Sequence, residues 1–542
     1  MLSHKNSFPV ARRAFLGLAV LSIELLAQAQ DSNVKTLKWS SAGDFLTFDV
    51  HAQNESLNSA ANAAVYETLV RYNREMQIEP CLATQYSRVD NGFIFTIREG
   101  VKFHEGQILS TEDVAYSINR ALMPESQFKA VASGILGAQA LNNKEVLVRT
   151  VSSSPVFLNQ LTALRILNKE WLSKHNALRP QNYVGGEESF LAKHANGTGP
   201  FRLERREVDV KTIFVANHEW WDEANRKGNL ERVEYIPIAS PATRTAALLS
   251  GQVDFVLDPA PQDLARLQRD KNLKVVSQTE DRVMMVALDQ YRDQSPYIKG
   301  QNGEPLKVNP FKDKRVRQAL SLAVNRDALV KSVMRGKAVA TQSLVSDSVL
   351  GYSREVAQPV AYDPDKAKAL LKEAGYEGGF SFTLDTPNNR WINDENLCKA
   401  LASMWAKIGV KVNVHSMPRA QYFPKVLSFD SSAGLVGWGS TTFDAYQPLQ
   451  SLIATFDPKS GAGISNIGRI SNSEADKAIK ALAVEENREK RAQLAQQVLK
   501  ADKDEALHIV VLQPMFSWAM RRNIEVVARP DNRLTLEWVS IR

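Results

Sequence analysis

The residues of this chain that could do chemistry do not assemble into a recognisable catalytic set. The sequence has no G-x-S-x-G nucleophile turn, no H-E-x-x-H zinc motif and no G-x-x-x-x-G-K-[ST] phosphate loop. None of its eight histidines has another histidine four residues away. His104-Glu105 could supply a metal ligand or a general base, but it precedes Gly106 in a tight turn. Because no nucleophile stands beside a base, the sequence does not indicate an enzyme.

The two cysteines and a pair of tryptophans leave alternatives open. Cys81 and Cys398 lie far apart in the chain and show no metal-ligand spacing. They could form a disulfide or, more commonly, be two small buried side chains. Trp220-Trp221 could stack on a sugar, although such a pair more often has one ring in a core and one partly exposed. No metal or cofactor is expected.

Size and charge restrict the class of protein. The chain has 542 residues, 44% of them hydrophobic, which is too long for one core, so two or three domains are expected. No apolar run reaches the length of about 18 residues that indicates a membrane-spanning helix. The formal charge of +7 is spread among interspersed acidic and basic residues, without a basic tail. Nucleic-acid binding is therefore not predicted.

The N-terminus has the pattern of an export signal. Lys5, Arg12 and Arg13 form a positive segment, and a mostly apolar run follows over 14–27. Ala27-Gln28-Ala29 supplies a cleavage site, which predicts a signal peptide over 1–29 and a periplasmic mature protein. The paired arginines also match the core of a twin-arginine signal, but they occur in ordinary secretory signals too. No cysteine follows the cleavage site, so a lipid anchor is not supported.

The most regular stretch of the chain, 89–122, predicts two short strands and a capped helix. Phe93, Phe95 and Ile97 alternate with more polar residues as in a half-buried strand. Val101 and Phe103 continue the alternation into a second short strand. Ser110, with Asp113 three residues later, resembles a capping box at the start of a helix.

Other segments repeat this alternation of strands and helices. The apolar run 283–288 predicts a buried strand, and 509–512 a last one. Asp363-Pro364 begins a helix that ends at Gly375. Glu395 to Ile408 predicts another helix. Since no repeat or low-complexity linker separates these elements, the chain is expected to form interwoven α/β lobes.

Eight phrases, in order along the chain, resemble the family 5 solute-binding proteins, the extracytoplasmic receptors of peptide- and nickel-type ABC importers. The most specific is GVKFHEGQILSTEDVAYSINRAL, within the stretch 89–122. NGTGPFRL and FKDKRVRQALSLAVNRDALV are further examples. The phrases lie at 66–73, 78–84, 98–122, 196–203, 243–257, 311–330, 362–376 and 405–412.

This resemblance implies an α/β, two-lobed periplasmic-binding-protein fold of type II, enlarged by an extra domain. Mixed sheets flanked by helices and a hinge between the lobes are expected. By analogy with the family, domain I (lobe 1) comprises 30–75, 199–280 and 508–542. Domain II, the extra domain on lobe 1, comprises 76–198, and domain III (lobe 2) comprises 281–507. The lobes are expected to close over a solute that contacts both of them.

The resemblance also implies a ligand site around Gly437-Trp438-Gly439. In peptide-binding relatives a Gly-Trp phrase lines the pocket, and an aspartate three residues after the tryptophan pairs with the peptide's amino group. Here that position holds Thr441, which carries no charge. Asp444 could replace the missing anchor or merely cap the following helix. Arg390 lies near where dipeptide-binding relatives place an arginine for the ligand carboxylate, although a surface ion pair is the plainer interpretation.

The function implied is that of a periplasmic solute-binding protein of an ABC importer. Its solute would be a short peptide or a peptide-like molecule such as a dipeptide, glutathione or an opine-like compound. A nickel-chelate or haem binder of the same family is the alternative. A secreted hydrolase and a periplasmic chaperone are further alternatives. The partners expected are the ligand and the membrane permease of the transporter, and the protein itself is expected to be a monomer.

Overall fold

The structure, a computed structural model, describes residues 34–54, 56–129, 131–151, 154–183, 186–388 and 390–542. The predicted signal peptide, 1–29, lies outside these residues. Among the described residues, no helix combines the length and the apolar composition needed to cross a membrane.

The described strands run through the whole chain and most of them belong to one large sheet. They are β1 (Thr36–Ser40), β2 (Val70–Tyr72), β3 (Ile78–Pro80), β4 (Ala83–Val89), β5 (Gly92–Ile97), β6 (Ile135–Ala140), β7 (Glu145–Thr150), β8 (Phe201–Glu207), β9 (Lys211–Ala216), β10 (Arg232–Tyr235), β11 (Phe255–Val256), β12 (Leu273–Thr279), β13 (Val283–Leu288), β14 (Ile298–Gly300), β15 (Ala338–Ala340), β16 (Phe380–Pro387), β17 (Lys411–Met417), β18 (Ala433–Trp438), β19 (His508–Arg521), β20 (Ile524–Glu525) and β21 (Ser540–Ile541).

The described α-helices alternate with these strands, as the sequence predicts. They are α1 (Ser56–Val65), α2 (Thr111–Ala121), α3 (Phe157–Leu161), α4 (Lys169–Lys174), α5 (Pro241–Ser250), α6 (Leu264–Arg269), α7 (Lys314–Leu322), α8 (Arg326–Ala328), α9 (Arg354–Ala357), α10 (Pro364–Glu373), α11 (Asp394–Ala406), α12 (Arg419–Leu427), α13 (Tyr446–Leu452), α14 (Ser473–Val484) and α15 (Arg488–Glu505).

One strand, β19, connects the two halves of the large sheet. The strand order is β14-β16-β18-β13-β19-β11-β1-β10-β9-β8. The first part of β19 pairs with β13, from Ala287 opposite His508 to Met284 opposite Leu512. Its second part pairs with β12, where Leu273 lies opposite Arg521. We call the β1 and β8–β12 side lobe 1, and the β13–β18 side lobe 2.

The sequence predicts a strand only over 509–512, the first part of β19. The following Gln513-Pro514 is typical of the end of a strand. Proline cannot donate a hydrogen bond to a sheet neighbour. Here Pro514 lies opposite Ala338 of β15, and its carbonyl accepts the backbone N–H of Glu280 at 3.0 Å. The proline therefore sits where β19 changes partners between the lobes, and the strand continues past it. The predicted boundary at 508 coincides with the start of β19, and residues 508–512 of this strand pair with β13 of lobe 2.

Three sets of buried side chains form separate cores. Lobe 1 is centred on Trp39, Tyr235 and Trp518, and lobe 2 on Phe382, Leu401 and Trp405. A third core lies around the sheet β4-β5-β7-β6 and helix α2, and we call this part the extra domain. The segment 167–191, predicted to belong to domain II, contributes Leu167, Trp171 and Leu172 to the core of lobe 1 instead.

The stretch 89–122 folds largely as predicted. Strand β5 alternates, and Phe95 and Ile97 are buried. Ser110 caps α2 with a complete capping box, in which Asp113 bonds back to the Ser110 backbone. The second short strand is wrong, since only an isolated bridge joins Lys102 to Ile108. The helix cap is a local signal and is therefore predictable, whereas strand pairing depends on distant partners.

Candidate functional site

A cavity of about 520 Å³ lies between the lobes and the extra domain. Lobe 1 contributes Tyr72 and the segment 531–533. The extra domain contributes Thr162. Lobe 2 contributes 390–391 and the strand end 435–441. The volume falls in the range of small-molecule sites, and a solute held here would contact both lobes.

Gly437, Trp438 and Gly439 line this cavity at the end of β18. Trp438 is half-buried, lies opposite Val283 in β13, and packs partly against a second buried cluster of lobe 2 that includes Leu449 and Val498. Its indole Nε1 is buried and has no hydrogen-bond partner. A buried N–H without a partner costs stability, so a ligand acceptor would compensate for it.

The two glycines are required by close neighbours. A Cβ on Gly437 would lie 2.7 Å from Cε2 of Trp391, and one on Gly439 would lie 2.7 Å from Oδ1 of Asp281. Any larger residue would therefore push Trp391 or Asp281 out of place. Both neighbours also line the cavity, so the Gly-Trp-Gly segment serves as a platform for two further side chains.

Trp391 gives the cavity a second aromatic wall. Its ring packs edge-on to Phe423, with ring centroids 6.3 Å apart. Like Trp438, it has a buried indole Nε1 without a partner. Arg390 also lines the cavity, with its Cζ 5.8 Å from the centre of the Trp391 ring. Together these groups offer apolar faces, two N–H donors and a cation to a ligand.

Charged groups enter the cavity where the chain crosses from β12 to β13. Glu280 and Arg282 form an ion pair at 3.1 Å, and the backbone N–H of Asp281 donates to Pro530. Among the residues that the structure describes, the half-buried Asp281 carboxylate has no hydrogen bond or ion pair. Burial, followed by the nearby Glu280 charge, raises the pKa of Asp281 to about 7. The nearby cations Arg282 and Arg533 lower this pKa to a smaller extent, so burial, which disfavours the ionised form of a carboxyl group, dominates.

The C-terminal segment brings further charges to the same wall. Asp531 is paired with Arg529 at 2.7 Å. Arg533 lines the main cavity and also a smaller chamber of about 100 Å³ behind it. No hydrogen bond or ion pair of its guanidinium occurs among the described residues. Arg533 is therefore a second charge that faces the cavity without a protein partner.

The remaining predicted site residues have other partners. Thr441 lines the cavity, and its hydroxyl bonds Gln447 at 3.3 Å. Asp444 is not among the lining residues. It is buried, pairs with Arg491 at 2.8 Å, and accepts the backbone N–H of Tyr446 at the start of α13. The structure thus brings Arg390, Gly437, Trp438, Gly439 and Thr441 together but places Asp444 outside, one residue before the N-cap of α13.

The extra domain touches lobe 2 across the mouth of the cavity. The side-chain amide of Asn159 donates to the Thr442 carbonyl at 2.8 Å and to the Tyr72 hydroxyl at 2.9 Å. The Tyr72 ring packs edge-on to Phe443, with centroids 5.5 Å apart. These contacts join the extra domain to lobe 2 beside the cavity, which Tyr72 and Phe443 both line.

The other sequence candidates lie in well-packed parts of the protein. His104 bonds the Gly199 carbonyl at 3.0 Å, and burial lowers its pKa to about 4. The Glu105 carboxylate accepts Trp171 Nε1 at 2.8 Å. Trp220 is buried and Trp221 half-buried, and both indoles donate to Glu67. Both cysteines are buried and free, so they form no disulfide.

Sequence reasoning missed Trp391, Asp281 and Arg533. Trp391 directly follows Arg390 and could have been considered with it. Asp281 and Arg533 belong to no motif, and they lie more than 250 positions apart in the chain. Only the crossing of the chain between lobes brings them to one cavity.

The protein-family comparison matches the model described as bacterial extracellular solute-binding proteins, family 5 Middle, over residues 77–459. The chain belongs to this family. A heme-binding protein A from Haemophilus influenzae is 28% identical over 81% of this chain and 80% of the relative. A dipeptide-binding protein from Escherichia coli is 25% identical over 97% of this chain and 98% of the relative.

Solved structures show the same fold. HbpA2 from Haemophilus parasuis superposes with a TM-score of 0.79 at 21% identity, covering 94% of this chain and 100% of that one. The predicted family and the two-lobed, type II periplasmic-binding-protein fold are both confirmed. This family consists of solute-binding proteins, so the cavity between the lobes is the candidate solute site.

Proposed function

We propose that this protein captures a short peptide or peptide-like zwitterion and delivers it to the permease of an ABC importer in the periplasm. The observation that carries the proposal is the composition of the cavity. It combines aromatic walls, unpartnered N–H donors, a carboxylate and guanidinium groups within about 520 Å³. A small solute with separate positive and negative ends fits this combination better than an apolar or singly charged one.

The ligand-facing residues proposed are Arg390, Gly437, Trp438, Gly439 and Thr441. The dipeptide-binding protein of Escherichia coli, which spans nearly the whole chain, supports a peptide-like solute. The heme-binding protein A of Haemophilus influenzae keeps haem in the set of compounds to be tested. An anchor role for Asp444 is not part of the proposal, because Arg491 already neutralises its charge. The division into domains, the monomeric state and the signal peptide stay predictions.

A ligand panel tests the proposal. The purified mature protein is screened by thermal shift and isothermal titration calorimetry against Ala-Leu, glutathione, octopine, haem and nickel–histidine. A compound that binds the folded protein raises its melting temperature by mass action. Stabilisation by a zwitterion supports the proposal, whereas stabilisation only by haem or nickel–histidine overturns its ligand class. Turnover of a panel compound would indicate the hydrolase, and preference for unfolded polypeptide the chaperone.

Trp438 provides a variant for the same assay. Trp438→Ala removes an aromatic wall and an N–H donor, so affinity for the best panel ligand should fall by about 10- to 100-fold. Trp221→Ala is the matched control, because Trp221 lies outside the cavity and binds Glu67. Unchanged affinity of the Trp438 variant, with the fold intact by circular dichroism, would remove Trp438 from the site.

A further inference from the structure

Asp281 and Arg533 line the cavity where the lobes meet, and neither side chain has a hydrogen bond or ion pair among the described residues. Asp281 precedes β13, directly after the chain leaves β12 of lobe 1. Arg533 follows β20 on the C-terminal segment. Their charged neighbours are neutralised, Glu280 by Arg282 and Asp531 by Arg529. Asp281 and Arg533 do not pair with each other, although both line the same cavity.

Resting on the proposed function, we propose that Asp281 receives the ammonium group of the solute and that Arg533 receives its carboxylate. The cationic end of the ligand then lies at the crossing between β12 and β13, and the anionic end near the small chamber. This assignment places the group that binds the ligand amine on residues 280–282, where the chain crosses from lobe 1 to lobe 2. No sequence motif of this chain includes that position.

Contacts of the backbone fix the position of residues 280–281 and leave room for the Asp281 side chain. The backbone N–H of Asp281 donates to Pro530 at 3.0 Å, and the missing side chain of Gly439 leaves room for the carboxyl oxygens. The Glu280 backbone is held by Pro514 and Gln513, both in β19. A carboxylate on a backbone held in this way, and partly removed from water, forms strong charge-assisted hydrogen bonds with an ammonium group.

Arg533 is suited to bind the carboxylate end of the ligand. Its guanidinium lines both the main cavity and the smaller chamber, together with Tyr72, Thr162 and Asp531. A planar guanidinium binds a carboxylate through two parallel hydrogen bonds. The buried N–H groups of Trp438 and Trp391 lie in the same cavity and can donate to carbonyl oxygens between the two charged ends.

The ionisation of Asp281 is consistent with this role. Burial raises the pKa of Asp281 to about 7, so much of this carboxyl group is protonated in mildly acidic solution. An adjacent ammonium group favours the ionised form and would release that proton. Affinity for an amine should therefore rise from pH 5 to pH 7 and level off above it.

Chemically matched ligands test the assignment by calorimetry. The probes are Ala-Leu and glutathione, each in its free form, with an acetylated amine, and with amidated carboxyl groups. In the wild type, acetylation and amidation should each weaken binding by about 10- to 100-fold. Asp281→Asn should lose the penalty for acetylation and the rise with pH, and Arg533→Gln should lose the penalty for amidation.

Controls separate this inference from the proposed function. Glu474→Gln, on the exposed part of α14, makes the same change in net charge as Asp281→Asn. This variant should keep the penalties for both acetylation and amidation. Circular dichroism checks that each variant is folded. If the wild type binds the free probes but acetylation has no effect, or Asp281→Asn keeps the full penalty, the Asp281 assignment is overturned and the proposed function stands. If no zwitterion of the ligand panel binds the wild type, both are overturned.

Discussion

Two aspartates near the Gly-Trp-Gly segment occupy opposite electrostatic situations. Asp444 is 6% exposed and is saturated by Arg491 and by a backbone N–H of α13. Asp281 lies against Gly439 and has no partner for its carboxylate. The first arrangement resembles that of Asp49 and Arg120, a fully buried pair at 2.7 Å between lobe 1 and the extra domain.

The difference between Asp444 and Asp281 distinguishes charges that stabilise the fold through a partner from charges that are available to bind a ligand. A buried, fully hydrogen-bonded pair holds its elements in one geometry, and loss of either partner leaves an isolated charge. An unpaired carboxylate costs stability in the folded protein unless a ligand neutralises it. Sequence position alone does not reveal this contrast, because Asp444 has the more suggestive location and Asp281 has the free carboxylate.

The largest effect is expected when the Asp444 pair is broken. Arg491→Met leaves the Asp444 carboxylate buried without its counter-charge, which should lower the free energy of unfolding by about 3–5 kcal/mol. Urea denaturation of the ligand-free protein measures this loss. The double variant Asp444→Asn with Arg491→Met should recover part of it. A loss below about 1 kcal/mol would mean that water or another group compensates Asp444, against the contacts seen here.

A smaller effect on the free energy of unfolding is expected at Asp281, where removal of the charge should stabilise the protein relative to the wild type as the pH rises. Its pKa of about 7 in the folded protein exceeds the usual aspartate value of 3.8, so the folded state holds a proton that the unfolded state releases. The stabilisation from this proton is full below about pH 4 and is lost as the pH rises through 7. The stability of Asp281→Asn relative to the wild type should therefore increase between pH 4 and 7.

Thermal or urea unfolding at several pH values gives this difference directly. Other buried groups titrate in both proteins and largely cancel, because only Asp281 differs between them. A stability difference that does not change with pH would show that Asp281 is ionised in the folded state. The contrast between Asp281 and Asp444 would then lose its electrostatic basis.

The smallest effect is expected at the contact that joins the extra domain to lobe 2 beside the cavity. Asn159→Ala removes the bond to the Thr442 carbonyl, which should cost about 0.5–1.5 kcal/mol in the closed form only. Apparent affinity should fall a few-fold, because the open form gains population. Gln160→Ala is the control, since the Gln160 amide bonds Ser133 within the extra domain. Small-angle scattering of both variants reports the closed fraction.

Local signals predicted a large share of the fold. The run 283–288 is strand β13 over the same residues, and Asp363 with Pro364 begins α10 as expected. The capping box of α2 is also confirmed. Each of these depends on neighbours within a few residues, so the sequence contains the information needed.

The candidate site was less accessible to sequence reasoning. The family resemblance led to Trp438 and Arg390, which line the cavity, but it gave no sign that Arg491 would neutralise Asp444. That pair joins residues 47 positions apart. Asp281 and Arg533 meet only through the crossing of the chain between the lobes. Contacts of this kind are set by tertiary packing and leave no local pattern in the sequence.

The position of β19 also has a consequence for chain synthesis. Both lobes use this strand as a sheet neighbour, through β13 on one side and through β11 and β12 on the other. During synthesis, the β13 side of the sheet needs residues up to 514 and the β11–β12 side needs residues up to 521, so both halves wait for residues after 507. A growing chain therefore exposes the unpaired edges of β11 and β13 until then, and such edges invite aggregation. The edges of β11 and β13 are protected from such association only once β19 is in place.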